Sequence, residues 1–170
     1  MIPQANITAW RQVVQPIRPL RLKIEINTRE HFVLNELQHR VLDVKNPWFN
    51  GSAKIVTFDN NELMATKLRA LFQRCKGRDL FDLWLCLAQQ LVEPTKVVQG
   101  FLEYMKREGH SVSRAEFEAN LHEKENDHAF MSDIGPLLRP GIEYSPAQAT
   151  DVVRSKVLSL LPGEPWRGSV

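Results

Sequence analysis

The stretch KLRALFQRCKGRDLFDLW, residues 67–84, holds Lys67, Arg69, Arg74, Lys76 and Arg78 ahead of its first acid, Asp79. Asp82 follows three positions on, beside Phe81, Leu83 and Trp84. Upstream, Leu63, Lys67, Ala70, Leu71 and Arg74 recur at three- and four-residue steps, which predicts a helix from Asn60 with these residues on one side. Asn60 or Asn61 can cap its start, and Gly77 can end it in a left-handed turn. DLFDLWLCLAQQL (79–91) reads as a second, largely apolar helix. The fold therefore turns on a helix–glycine–helix corner crowded with charge.

Outward from that corner, RLKIEIN (21–27) alternates Leu22, Ile24 and Ile26 with polar residues, the period of a half-buried strand with Glu25 on its polar face. EHFVLNELQHRVLDV (30–44) is compatible with a strand or a helical turn, NPWFNGS (46–52) with a turn, and KIVTFD (54–59) with another strand. Downstream, helices are expected over 93–109, opened by Pro94 and closed at Gly109, and over 113–127, where Ser113 and Glu116 have capping-box spacing. Three prolines and two glycines mark 134–146 as a loop. A last helix is expected over 147–161, with LPGEPWRGSV as a frayed end. The class is α+β, with strand-rich residues 1–59 followed by a helical domain over 60–170.

The net charge of +2 over 170 residues does not by itself argue for nucleic acid. Its distribution is uneven: Arg11, Arg18, Arg21 and Lys23 precede any acid, whereas residues 113–133 carry Glu116, Glu118, Glu123, Glu125, Asp127 and Asp133 against Arg114 and Lys124. A basic front half suits a polyanion, though solvated faces give the same asymmetry. Cys75 and Cys86 sit in apolar helical patterns without zinc-ligand spacing. No signal peptide or membrane span is evident, so a reduced, cytoplasmic protein is expected. Neither a nucleophile elbow, a GxGxxG fingerprint nor a P-loop occurs.

Three groups are candidates for chemistry. Asp79 and Asp82, at i and i+3, share a helix face; periodicity alone favours them as cap and first-turn acid, and the functional reading has one carboxylate hold Arg78 or Lys67 in place while facing a ligand. Lys67 shares its stripe with Leu63 and Leu71. It either snorkels to the surface or meets a triphosphate from a cleft, with Arg74 extending the positive wall. Arg69 is expected to face solvent. Glu25, a strand acid, is solvated or contributes to a Mg²⁺ or proton-accepting site, which it cannot build alone.

KIEIN (23–27) followed by IVTFDNNELMATKLRALFQRCKGRDLFDLW (55–84) resembles the AbiEii/AbiGii toxin family of nucleotidyltransferases across residues 20–90. The resemblance implies a partial polymerase-β-like nucleotidyltransferase sheet followed by a helical bundle. It implies Mg²⁺, NTP as donor, and an RNA hydroxyl (tRNA included) or a protein hydroxyl as acceptor. By that likeness Glu25 completes the carboxylate set, Lys67 contacts the triphosphate, and Arg78, Asp79 and Asp82 close the site; Arg74, extending the positive wall, is expected to join Lys67 in phosphate binding. A separate antitoxin would accompany the protein.

The family's amino-terminal glycine/serine and D-x-D motif has no counterpart before Glu25, the first acid of the chain. A truncated relative, inactive alone, is one expectation from that departure. The alternative is a non-catalytic module that kept the fold and binds a partner or nucleic acid. An open sheet edge in such a chain further predicts a homodimer or another pairing.

Overall fold

The structure, a computed structural model, describes residues 7–9, 20–22, 24 and 32–168. The chain divides into two units, Met1–Phe32 and Val33–Val170. In the first, β1 (Ile7–Ala9) pairs antiparallel with β2 (Leu20–Leu22), Ile7 opposite Leu22. The strand expected over 21–27 is thus seen only at its beginning. Lys23 and Glu25 lie outside the described residues.

The second unit opens with a hairpin, β3 (Gln38–Asn46) and β4 (Phe49–Thr57), in register from Gln38 opposite Thr57 to Asn46 opposite Phe49. Of the ambiguous segment 30–44, residues 38–44 are therefore strand, whereas 32–37 are irregular. Pro47 and Trp48 form the two-residue loop, and the Asn46 side chain accepts from the N–H groups of Trp48 (3.0 Å) and Phe49 (2.9 Å), an Asx turn.

Six α-helices follow among the described residues: α1 (Asn60–Gln73), α2 (Gly77–Ala88), α3 (Pro94–Arg107), α4 (Arg114–Glu125), α5 (His128–Ser132) and α6 (Pro146–Lys156). The α+β expectation is met. Asp59, not either asparagine, caps α1, accepting from Asn61 N (2.8 Å) and Glu62 N (3.3 Å). Asn60 and Asn61 instead tie down the α2–α3 loop, through Leu91 O (3.4 Å) and Glu93 N (2.7 Å). Ser113 caps α4 as expected, its hydroxyl accepting from Glu116 N at 3.2 Å.

The buried face of α1 is Glu62, Met64, Ala65, Leu68 and Leu71, so the predicted stripe through Leu63, Lys67 and Arg74 is rotated from the true core face. That face packs with Leu80, Leu83 and Leu87 of α2, Phe101 and Met105 of α3, Phe117 and Leu121 of α4 and Val153 of α6. Each fully buried side chain of this size contributes roughly 1.5–3 kcal/mol. Phe72, Phe101 and Phe117 meet edge-on or tilted, with centroids 5.1–6.4 Å apart.

Four charged residues are buried among the described residues, Glu62, Asp79, Glu118 and Lys124, and two of them tie elements of the helical unit together. Glu62 accepts from Leu34 N (2.7 Å), Asn35 N (2.9 Å) and the Tyr104 hydroxyl (2.7 Å), anchoring the segment before the hairpin to α1 and α3. Lys124 donates to the last carbonyls of α1, Leu71 O and Phe72 O (2.8 Å), and to Asn120 Oδ1 (2.6 Å). Its pKa is lowered, chiefly by burial.

The carboxyl-terminal segment is not frayed over its described residues. Arg114 N donates to Pro162 O (2.7 Å), Trp166 N donates to the buried Glu118 (2.8 Å), and the Trp166 ring lies 4.8 Å from that of His122. Leu161 enters the core.

Candidate active site: the corner between α1 and α2

Arg74 leaves the helix in an extended conformation (φ −134°, ψ 160°) and thereby ends α1. Gly77 does not end it. Gly77 starts α2, and a Cβ there would lie 2.2 Å from the carbonyl oxygen of Phe130, so glycine lets α5 approach. Asp79 accordingly sits in the first turn of α2 rather than at its cap, which is Lys76. The favourable field of a helix N-terminus still acts on it there.

Asp79 is completely buried, and both its oxygens are occupied. Arg74 reaches back across the corner in a fork, Nε to Oδ2 at 2.7 Å and Nη2 to Oδ1 at 2.7 Å. Lys67 Nζ stands 3.6 Å from Asp79 Oδ1 and 2.8 Å from Asp82 Oδ2. The hydrogen bond with Asp79 raises the Arg74 pKa, outweighing a smaller opposing effect of desolvation. Exposure grades outward from this anchor: side chains are 0% exposed at Asp79, 28% at Lys67, 37% at Asp82 and 49% at Arg74.

Four of the sequence-predicted residues thus converge: Lys67, Arg74, Asp79 and Asp82. Lys67 is a boundary residue held by carboxylates, not a core intruder. Arg78 is exposed; its backbone N–H donates to Asp133 Oδ2 at 3.2 Å. Asp133, from the far end of α5, was invisible to local pattern reading because it arrives from 55 residues away. Arg69 lies elsewhere and is not solvent-facing: it pairs with Glu108 at 2.7 Å, is 13% exposed, and its guanidinium sits 5.0 Å from the Tyr104 ring centroid. A depression of about 340 Å³ lined by Leu34, Asn35, Lys96, Gln99, Gly100 and Glu103 includes none of the predicted site residues.

The chemistry open to the corner follows from these contacts. Asp79 is buried with both oxygens bound by Arg74 and with Lys67 beside it, so it positions Lys67 and Arg74. Asp82 is the accessible acid and the exchangeable partner of Lys67. Two cations face two anions, so a phosphate must displace Asp82 from Lys67 to gain full charge. No group of three or more His, Cys, Asp or Glu among the described residues could hold a metal ion, and Asp79 has no free oxygen. The residues of this corner do not fit Mg²⁺.

A family model described as nucleotidyl transferase AbiEii toxin, type IV TA system, matches residues 4–152. The chain belongs to the AbiEii family. The match runs from before β1 into α6, well beyond the 20–90 stretch that carries the motif likeness. The hairpin followed by helices agrees with a partial nucleotidyltransferase fold. No curated protein and no solved structure matches the chain. No helix among the described residues is long and apolar enough to cross a membrane.

Proposed function

We propose that this chain transfers a nucleotide from an NTP to a hydroxyl of RNA, with tRNA the first acceptor to test and a protein hydroxyl the second. The acceptor oxygen bonds to the α-phosphorus, the bond to the bridging oxygen breaks, and pyrophosphate leaves. Membership of the AbiEii family supports the reaction class. The single observation that carries the site is a buried carboxylate, Asp79, holding Lys67 and Arg74, whose side chains are partly exposed. Lys67 then exchanges Asp82 for a triphosphate oxygen, Arg74 adds a forked donor, and Arg78 stands at the rim. Glu25 keeps the acid role implied by the resemblance. The same reading pairs the protein with an antitoxin.

A non-catalytic module that binds RNA or a protein partner is the second reading. It is favoured by the lack of a metal-holding group among the described residues. Calorimetric titration with Mg²⁺-NTP separates the two. The proposed function predicts binding that weakens at least about tenfold in Lys67→Ala, the usual size of a lost hydrogen bond to a charged group. Absence of binding by the wild type, or equal binding by the variant, would refute the phosphate site.

A further inference from the structure

The segment from the end of α4 through α5 follows the α1–α2 connection in regular steps. Lys124 donates to Leu71 O and to Phe72 O (2.8 Å), on the last turn of α1. Three residues on, Asp127 Oδ2 accepts from the Cys75 thiol at 3.4 Å. Three further on, the carbonyl oxygen of Phe130 occupies the space that a side chain at Gly77 would need. The last step is Asp133, whose Oδ2 accepts from Arg78 N at 3.2 Å and whose Cβ would lie 3.3 Å from a Cβ at Gly77. Contacts at 124, 127, 130 and 133 thus track the chain from 71 to 78, across the whole bend that carries Arg74.

At its α2 end this splint meets a local deficit. The first N–H groups of a helix have no partner inside it. Lys76 holds the N-cap position of α2 but makes no side-chain cap hydrogen bond, because an ammonium has no acceptor to offer. Asp133 supplies the acceptor from 55 residues away. Asp79 lies in the same first turn, so the contact that fixes the turn also fixes the buried carboxylate against which Arg74 and Lys67 are held. The hydrogen bond with Asp79 is the main cause of the raised Arg74 pKa, and Asp133 adds a smaller through-space effect of the same sign.

We propose that residues 124–133 form a splint for the α1–α2 bend and that Asp133 is a positioning residue for the NTP corner, acting through the first turn of α2. The consequence for nucleotide binding rests on the transferase reading; the effect on the corner itself does not. What the splint requires of Asp133 is an acceptor oxygen rather than a charge.

The test compares Asp133→Ala with Asp133→Asn in the full chain. Both variants remove the charge, and only asparagine keeps an oxygen able to accept from Arg78 N–H. Circular dichroism melts fix an assay temperature at which both are folded. The first readout is hydrogen exchange of the Arg74 Nε–H, followed by NMR without nucleotide, because this group makes the 2.7 Å contact with Asp79. Exchange should be roughly two- to tenfold faster in Asp133→Ala than in Asp133→Asn, the equilibrium factor of one hydrogen bond. Equal exchange in the two variants would overturn the splint.

Calorimetric titration of the same pair with Mg²⁺-NTP tests the positioning role. Asp133→Ala should bind roughly two- to tenfold more weakly than Asp133→Asn. Equal nucleotide affinity in the face of different exchange would overturn that role. Absence of binding by the wild type would sink the transferase reading, and the splint would then stand or fall on the Arg74 signal alone.

Discussion

Arg74→Ala removes the forked contact from a carboxylate that has no access to water. Asp79 would lose two charge-assisted hydrogen bonds of 2.7 Å and keep only Lys67, 3.6 Å away. Orphaning one member of a buried ion pair costs about 3–5 kcal/mol. Arg74 itself is half exposed, so part of its interaction is already screened, and about 2–3 kcal/mol is expected. The converse variant, Asp79→Ala, leaves a guanidinium that water can solvate, and about 1–2 kcal/mol should be lost. The two effects share one interaction, so the double variant should be more stable than their sum by about 1 kcal/mol or more. Urea denaturation followed by circular dichroism, with equal m-values, measures all three. Additive losses, or an Arg74→Ala loss under about 0.5 kcal/mol, would show that the fork anchors nothing.

Other consequences of the packing are open to the same methods. Gly77→Ala gains about 0.5–1 kcal/mol of helix propensity, but its methyl meets the Phe130 carbonyl oxygen and overpacking costs about 1–3 kcal/mol, so the melting temperature should fall. Glu62→Ala leaves the Leu34 and Asn35 amides and the Tyr104 hydroxyl without their acceptor, which should cost about 2–4 kcal/mol. Hydrogen exchange at Leu34 and Asn35 should accelerate more than at the core of α1. Asp127 caps α5 by accepting from Phe130 and Ala129, and these backbone hydrogen bonds lower its pKa from the usual 3.8. Its contribution is therefore complete above pH 3.8 and disappears as pH falls through the lowered value. Asp127→Ala should melt below the wild type at pH 7, and the gap should close toward pH 2; a constant gap would contradict the cap.

The helices were legible in the sequence because their periodicity and most of their stop signals are local. Ser113–Glu116 and Pro94 marked helix starts correctly, and Gly109, at φ +80°, sits just past α3 as a glycine terminator should. Three errors share a cause in distant contacts. Asp59, Asn60 and Asn61 are all competent caps, and the choice among them fell to side-chain partners at Leu91 and Glu93. Gly77 resembled a helix terminator, yet its requirement comes from Phe130. The terminal segment looked frayed because nothing near Trp166 signals Glu118, 48 residues upstream.

The corner was only half legible. The spacing of Asp79, Asp82, Lys67 and Arg74 placed them together, but not the burial gradient that makes Asp79 the anchor and Asp82 the exchangeable acid. Glu62 and Lys124 carried no local signal, since a charged residue inside a helix reads as solvated until its distant partners, 27 to 53 residues away, are known.

The most direct measurement of the central claim is incorporation of label from each α-³²P NTP into tRNA and total RNA by the purified chain in magnesium buffer, resolved on a denaturing gel. A nucleotidyl transferase working through this corner labels RNA with at least one nucleotide, and Lys67→Ala lowers the rate at least about tenfold. No label in RNA or in protein from any NTP, or equal labelling by Lys67→Ala, would contradict it.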